Sequence, residues 1–393
     1  SKSLRNMPSC TGFGTPDGFI DTDVCVKVSW TLKESDGLLP AGYEVAYDQI
    51  VLYEAPASAF NAGSAAVNDI VNAEETSSEA VFSGQFIYEK SMEGDRVSGW
   101  KAVFDKNTGA LSSYVIGGVE TLKEPLMPSF GRAVVENDMG ANFQNRFKMW
   151  RYPEFKVASF NVEKSSDHYV VTTEYAPFGK VCSVTMTYEI HPDGAIVAKE
   201  KMNDKGELSK APCLFRFGMK LAMPGEFSTL DFYGLGPWDN YCDRKSAALL
   251  GHYVQRVQDQ YWYGYVRTQE SGTKSDLRWL KVLSPSGLGI EITSDARFSG
   301  SALPFSQKQM DSALSDPRPR KNPTNQQAGE ATHSLELLPL AHNDARSLGT
   351  TYVNFDLKEM GVGGTDSWGR WPLEPYLVRP AEYEFNFVIR PVK

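Results

Sequence analysis

Apolar and polar residues alternate with a period of two along most of this chain. Residues 23–33, DVCVKVSWTLK, and residues 43–53, YEVAYDQIVLY, are the first two examples. Because successive side chains of a β-strand point to opposite faces, this alternation predicts strands with one buried face. The pattern returns after residue 79 and continues to the C-terminus. No amphipathic helix longer than about three turns is predicted, so the chain is expected to be all-β.

Turn residues divide the alternating stretches into hairpins. One hairpin is predicted at residues 98–118, with its turn at Gly109, and another at residues 182–202, with its turn at Gly194. Further strands are predicted at residues 214–223, 276–284, 287–294, 351–357 and 383–392. Residues 306–332 are polar and broken by proline, which indicates a surface loop with one short helix.

A change of composition divides the chain into parts. Residues 54–79 are rich in Ala, Ser and Asn and lack a sustained apolar stripe, which is typical of a linker. We therefore predict a short β unit at residues 1–53, a linker at 54–79, and a large antiparallel β domain at 80–393. The last part is too long for one ordinary sandwich, so two large stacked sheets are predicted.

Charge and composition exclude some classes of function. The net charge is −9 and there is no long basic run, so a nucleic-acid partner is not expected. No segment approaches the roughly 18 apolar residues of a membrane span, and the first ten residues lack the apolar core of a signal peptide. A soluble chain is expected, either cytoplasmic or periplasmic. The five scattered cysteines are predicted to be mostly free, buried thiols.

The common catalytic motifs are absent from the sequence. There is no G-x-S-x-G, no H-E-x-x-H and no phosphate-binding P-loop. Among the histidines, the candidates for general acid or base catalysis are His252, His333 and His342. Two segments, residues 233–253 and 264–280, place Gly, Pro, Asn, Asp and Arg among aromatic residues. Their acidic and basic neighbours are predicted to form structural ion pairs, namely Asp243 with Arg244 and Asp276 with Arg278.

Four segments carry a resemblance to a known family. YGLGPWDNYCDRKSA (residues 233–247) resembles the G-x-G-P-x-E-N-Y-x-D-R signature in the C-terminal domain of the large β-galactosidases of glycoside hydrolase family two. YVRTQESGTKSDLRWL (265–280), RAVVENDMG (132–140) and MGVGGTDSW (360–368) are similar to three further segments of that domain. We call these four the family segments. The resemblance covers residues 80–393, and residues 1–53 resemble the last strands of the immunoglobulin-like domain before it.

The resemblance implies a fold and a division of labour. The implied fold is a two-sheet supersandwich of the galactose mutarotase type, preceded by a partial immunoglobulin-like β unit. In the family, a TIM barrel supplies both catalytic Glu residues and the magnesium and sodium sites. This sequence lacks the barrel's βα pattern, so neither a catalytic residue nor a cofactor is expected in this chain. It is expected to be a C-terminal fragment or small subunit of a β-galactosidase, inactive alone, with the barrel portion as partner and a β-galactoside as substrate.

The resemblance also implies the residues that meet the sugar. Trp368 is implied to contact substrate from a loop, and the neighbouring Asp366 and Ser367 to hold that loop by local hydrogen bonds. An indole face suits the C–H face of a pyranose, because it offers apolar area and a negative π surface. The other reading of Trp368 is a packing residue in one cluster with Trp371.

The matching segment at residues 132–140 adds Asn137, Asp138 and Gly140 to the implied substrate site. Two other functions stay open on the residues. One is a stand-alone aldose mutarotase-like enzyme that uses a His and a carboxylate. The other is a lectin-like module that binds galactose through exposed tryptophans.

Overall fold

The computed structural model describes residues 23–56, 70–91, 94–176, 178–265, 267–311, 349–366 and 369–393. The chain divides into two compact units, Ser1–Ala59 and Phe60–Lys393. In the first unit, strand β1 (Val24–Thr31) pairs antiparallel with strand β2 (Glu44–Tyr53). Both strands were predicted from their alternation, and the strands are confirmed. The buried face that the alternation also predicted is not found, since the residues of both strands are exposed or half-buried within the described chain.

A five-stranded sheet opens the second unit. Its strands follow one another in chain order and pair antiparallel: β3 (Asn72–Glu75), β4 (Glu79–Glu89), β5 (Arg96–Asp105), β6 (Ala110–Ile116) and β7 (Val119–Glu120). Strand β3 lies within the stretch predicted as a linker. Its sequence, NAEE, has no apolar alternation and all four residues are exposed, so the strand is held by its backbone pairing with β4.

A twelve-stranded antiparallel sheet forms most of the second unit. Its strands are β8 (Glu124–Ser129), β9 (Val157–Lys164), β10 (Tyr169–Tyr175), β11 (Cys182–Ile190), β12 (Ile196–Asp204), β13 (Arg216–Pro224), β14 (Thr229–Gly236), β15 (Leu249–Arg256), β16 (Lys274–Leu283), β17 (Gly289–Leu303), β18 (Thr350–Glu359) and β19 (Glu384–Val392). The main order is β15-β14-β16-β17-β19-β12-β11-β10-β9.

The long strand β17 makes this sheet branch. Its first half, up to Ser294, pairs with β19, whereas its second half, from Ser299, pairs with β18. Strand β18 then pairs with β13, and β13 with β8. The branch therefore runs β17-β18-β13-β8. Within it, the last residue of β18, Glu359, leads directly into the family segment at residues 360–368.

Helices are few and short in the described part of the chain. The α-helices are α1 (Glu136–Gly140), α2 (Phe143–Arg146), α3 (Lys148–Arg151) and α4 (Gln307–Met310). Three-residue 3-10 helices lie at Leu208–Lys210, Val257–Asp259 and Glu374–Tyr376. Helix α4 is at the start of the predicted loop 306–332, and the rest of that loop from residue 312 is outside the described residues.

One hydrophobic core joins the five-stranded and twelve-stranded sheets. The ring centroids of Phe104 on β5 and Tyr188 on β11 are 5.0 Å apart. The indole N–H of Trp100 donates to the carbonyl of Pro192 over 3.0 Å, in the turn of the predicted 182–202 hairpin. The predicted all-β fold with two large antiparallel sheets is thereby confirmed.

Three described cysteines are free thiols, as predicted: Cys182, Cys213 and Cys242. Of these, Cys182 and Cys213 are buried. No helix among the described residues is long and apolar enough to cross a membrane.

Candidate functional site

The family segment at residues 132–140 contacts the one at residues 360–368 through two side chains. The buried guanidinium of Arg132 donates to the carbonyls of Met360 and, over 3.0 Å, Gly361. The side-chain amide of Asn137 donates to the carbonyl of Val362 over 3.1 Å. Since β18 has ended at Glu359, these bonds satisfy carbonyls that no strand pairs with.

A second family segment, residues 233–247, contacts the same loop from another side. The carboxylate of Asp243 accepts the N–H of Val362 on Oδ1, at 3.0 Å, and the N–H of Gly363 on Oδ2, at 2.8 Å. The thiol of Cys242 lies 3.3 Å from the carbonyl of Glu359. Two consecutive residues of one segment therefore hold the end of β18 and the loop that follows it.

The third segment, residues 265–280, meets the first one. The side-chain carbonyl of Gln269 accepts the N–H of Glu136 over 3.4 Å, and the Arg267 guanidinium lies 3.8 Å from the Glu136 carboxylate. All four family segments, which are widely separated in sequence, are thus joined by side-chain contacts. This gathering is the candidate functional site.

Helix α1 places Asn137 and Asp138 in different roles. Asp138 is buried, and its Oδ2 accepts the N–H of Val135 over 3.0 Å, so the side chain caps the beginning of the helix. The same oxygen lies 3.2 Å from Arg132. Asn137, one position earlier, faces the 360–370 loop. A sugar contact by Asp138 stays a prediction, and its observed contacts are internal.

The 360–370 loop turns sharply at glycines. Gly363 has φ +70° and Gly364 has φ +107°, conformations that suit glycine because it lacks a Cβ. A Cβ built on Gly363 would lie 3.4 Å from the carbonyl oxygen of Arg370, so the two ends of the loop approach each other. At its far end, Gly369 packs against the backbone of Gly140.

Of the three sugar-binding residues predicted in this loop, only Asp366 is among the described residues. Asp366 is half-buried in the loop, whereas Ser367 and Trp368 lie outside the described residues. Their roles therefore stay predictions. Trp371 packs edge-on against Phe143, with ring centroids 4.7 Å apart. A packing role is thus assigned to Trp371.

A buried ionic cluster lies beneath the loop. Arg216 on β13 is 3.1 Å from Glu359, 3.4 Å from Glu270 and 3.3 Å from Asp356. Glu359 also lies 3.6 Å from Arg132, so it links the two guanidiniums. All five of these side chains are at most 3% exposed. The cluster connects strands β13 and β18 to the family segments at 132–140 and 265–280.

Burial and charge shift the proton affinities of the cluster. Burial disfavours the charged guanidiniums of Arg132 and Arg216, but the surrounding carboxylates outweigh it and raise the pKa of both. Burial raises the pKa of Glu270 to about 7, against the attraction of Arg216. Burial likewise raises the pKa of Asp356 well above its ordinary value.

Carboxylates outnumber guanidiniums in this cluster. Two arginines face the buried carboxyl groups of Asp138, Glu270, Asp356 and Glu359. Some of these acids must keep a proton, because an excess of buried negative charge is very costly. The cluster can hold the loop backbone in place, because Arg132 donates to the carbonyls of Met360 and Gly361. Groups so enclosed do not offer the two accessible carboxylates that glycoside hydrolysis uses.

The other sequence-based candidates lie in separate places. His252 is on strand β15, with Nε2 2.6 Å from Asp231, and its side chain is 57% exposed. His333 and His342 lie outside the described residues. No group of three His, Cys, Asp or Glu side chains within the described ranges is arranged to hold a metal ion.

Ion pairs were predicted between sequence neighbours, Asp243 with Arg244 and Asp276 with Arg278. The structure gives three of these four side chains other partners, because the fold brings more distant residues closer. Arg244 lies 3.0 Å from Asp239, while Asp243 accepts the loop amides. Asp276 lies 2.6 Å from Lys245.

Sequence reasoning missed Arg216, Asp356 and Glu359. The signal for Arg216 and Asp356 was weak, because alternation puts Arg216 on the same strand face as the exposed Lys220, and Asp356 on the same face as Asn354. A charged residue at a core position needs a buried partner. Alternation alone predicts neither the burial of Arg216 and Asp356 nor the strand that supplies their partner.

Comparison with known proteins identifies a family to which the sequence is similar. The sequence model of the family described as "Beta galactosidase small chain" matches residues 96–389, a range that contains all four family segments.

Several curated proteins are similar over much of the chain. A β-galactosidase of Priestia megaterium is 28% identical over 376 residues, which is 95% of this chain and 32% of that protein. A β-galactosidase of Halalkalibacterium halodurans is 29% identical, over 74% of this chain and 26% of that protein. A β-galactosidase of Lactobacillus delbrueckii subsp. bulgaricus is 30% identical, over 70% of this chain and 25% of that protein. This chain therefore spans at most about a third of the length of these relatives.

Two solved structures align with most of the chain. A putative aldose 1-epimerase from Escherichia coli has a TM-score of 0.37 and 11% identity, covering 78% of this chain and 99% of that one. A galactose 1-epimerase from Lactobacillus acidophilus has a TM-score of 0.38 and 9% identity. The alignment covers 78% of this chain and 98% of that one. At these scores the likeness adds nothing to the fold already described.

Proposed function

The chain belongs to the β-galactosidase small chain family, and on that premise we propose that it is a non-catalytic portion of a β-galactosidase that hydrolyses terminal β-D-galactosides. The family match over residues 96–389 is the observation that carries this proposal. The assignment to glycoside hydrolase family two, from the four family segments, is part of it.

The described site supports a non-catalytic role. Its buried carboxylates pair with Arg132 and Arg216, and burial keeps protons on some of them. Hydrolysis of a glycoside needs an acid and a nucleophile or base on either side of the scissile bond. In our proposal both belong to a TIM-barrel portion of the enzyme, together with the magnesium and sodium sites. The partial coverage of the relatives is consistent with a further portion of this kind.

The role proposed for this chain is to complete the sugar site. The 360–370 loop, which is held by the other family segments, leads into Ser367 and Trp368. We propose that Trp368 stacks on the galactoside when the barrel portion is present. The mutarotase-like and lectin-like alternatives are not favoured, because the family match is to a β-galactosidase chain.

An activity assay tests the proposal. The chain is incubated with an aryl β-galactoside, first by itself and then with a barrel-bearing portion of a β-galactosidase. Hydrolysis is expected only in the mixture. Hydrolysis by the chain on its own, or a mixture no more active than the barrel portion, contradicts the proposal. Polarimetry with galactose and calorimetry with lactose serve as checks for the two alternatives.

A further inference from the structure

Asp243 occupies a rigid position in the family segment at 233–247. Two reciprocal backbone hydrogen bonds join Tyr241 and Arg244: the N–H of Tyr241 donates over 3.2 Å and the N–H of Arg244 over 2.8 Å. Cys242 and Asp243 form the tip of this tight turn. A side chain on such a tip has little backbone freedom, so its carboxylate is presented in a fixed direction.

That carboxylate holds two consecutive amides of the neighbouring loop. Val362 and Gly363 donate to different oxygens of Asp243, at 3.0 and 2.8 Å. The fit is close, because a Cβ built on Gly361 would overlap the same carboxylate. Hydrogen bonds to a charged acceptor are about twice as strong as neutral ones. Asp243 therefore fixes the loop at the point where it leaves strand β18.

A residue that Asp243 holds, Gly363, is also where the two ends of the loop meet. Gly363, one of the two residues held by Asp243, lies next to Arg370 at the other end of the loop. Asn137 adds a hydrogen bond to the carbonyl of Val362, on the opposite side of the same peptide chain. The direction in which residues 364–366 continue from the base of the loop thus depends on a few contacts at that base.

We infer that Asp243 is a positioning residue for the galactoside site, acting through the loop that leads to Trp368. This inference rests on the proposed function, because it takes Trp368 as the group that meets the sugar. Asp243 is not a catalytic residue, since its contacts are with backbone amides. Its effect is to keep the loop in one arrangement before substrate binds, which lowers the entropy lost on binding.

The test uses the complete chain and two readouts. The variants are Asp243→Ala, which removes both acceptors, and Asp243→Asn, which keeps one and preserves the shape. Asp239→Ala is the matched control, because Asp239 lies in the same segment and pairs with Arg244. The first readout is amide hydrogen exchange in peptides covering residues 360–366 of the isolated chain. The second is KM and kcat for an aryl galactoside in the assembled enzyme.

The expected exchange result is independent of catalysis. Asp243→Ala speeds exchange at Val362 and Gly363 by about tenfold or more, as the loss of a hydrogen bond to a charged acceptor predicts. Asp243→Asn gives a smaller increase, and Asp239→Ala leaves these amides unchanged. Unchanged exchange in both Asp243 variants overturns the inference. If Asp243→Ala does not fold, Asp243→Asn decides this readout.

The kinetic result separates this inference from the proposed function. Asp243→Ala is expected to raise KM severalfold with a smaller change in kcat, and to add little to Trp368→Ala. An equal effect of Asp243→Ala with Trp368 present or absent overturns the inference, because Asp243 would then not act through Trp368. If Trp368→Ala leaves KM and kcat unchanged, the proposed role of Trp368 fails, and the exchange data decide whether Asp243 holds the loop.

Discussion

Gly369 lies so close to Gly140 that a Cβ on Gly369 would overlap the backbone carbonyl carbon of Gly140. The contact joins the far end of the 360–370 loop to the end of helix α1. Each glycine adjoins or ends a different family segment, so backbone meets backbone at this point without an intervening side chain. The loop is thereby fixed at its second end as well as at Asp243.

Substitution of Gly369 tests this contact. Gly369→Ala is expected to lower the free energy of unfolding, since φ is +86° and the new methyl group would meet the Gly140 backbone. Gly287→Ala is the matched control, because Gly287 has φ +84° but no atom within 4 Å of a built Cβ. Both variants carry the strain of positive φ, about 1 kcal/mol, and only Gly369→Ala adds the overlap. Equal losses in urea denaturation contradict the close packing.

The guanidinium of Arg132 is expected to contribute strongly to the stability of the fold. Arg132→Leu leaves Asp138 without its cation and the carbonyls of Met360 and Gly361 without a donor. Breaking a buried pair from one side costs about 3–5 kcal/mol, which thermal or urea unfolding would detect. Arg256→Leu is the control, because its ion pair with Asp259 is exposed, and little change is expected there. Similar losses in the two variants would argue against a special role for Arg132.

The raised pKa of Glu270 predicts a pH dependence of stability. In the folded protein Glu270 keeps its proton up to about pH 7, whereas the unfolded chain loses it near pH 4.5. Rising pH between these values therefore favours the unfolded state, so the contribution of Glu270 is full below pH 4.5 and is lost by about pH 7. Glu270→Gln should flatten the fall in unfolding free energy over this range. Parallel curves for the two proteins contradict the raised pKa.

Trp368 is expected to contribute binding energy rather than chemistry. In the assembled enzyme, Trp368→Ala should raise KM by about three- to tenfold, the range for one aromatic contact, with kcat changed less. Trp30→Ala is a suitable control, because Trp30 is a half-exposed tryptophan that lies in the first unit. Unchanged KM and kcat for Trp368→Ala would remove this residue from the site.

The second unit is expected to fold without the first. Its core draws its residues from Val71 to Ile389, all in the second unit. A chain that begins at Phe60 should therefore keep a cooperative unfolding transition at nearly the same temperature, as calorimetry would measure. Loss of cooperativity in the shortened chain would contradict this division and the proposed separate β unit at residues 1–53.

The strands were predictable because each carries its own evidence. The hairpin of β11 and β12 alternates apolar and polar residues on both arms and turns at Gly194, which has φ +85°. Side-chain period and turn chemistry are local properties, so one sequence suffices to read them. The same holds for β5 and β6, whose turn ends at Gly109 with φ +67°.

The contacts of the site could not be predicted in this way. Arg216 on β13 and Glu359 on β18 meet because these two strands pair, although 143 positions separate them in the sequence. Asp243 contacts backbone amides, and a backbone amide has no residue type for a sequence to reveal. The resemblance named four segments that the structure brings into contact. It did not say which side chain holds which part of the loop.

The base of the 360–370 loop is closed by contacts that lie outside the tip of the loop, residues 365–368. Gly363 and Arg370 are neighbours, and the contacts that hold them come from other parts of the chain. The described contacts that close the base use none of the residues 365–368, so a tip of different chemistry would leave those contacts in place. Selection, or a protein engineer, could alter what the tip recognises while the sheets beneath it keep their sequence.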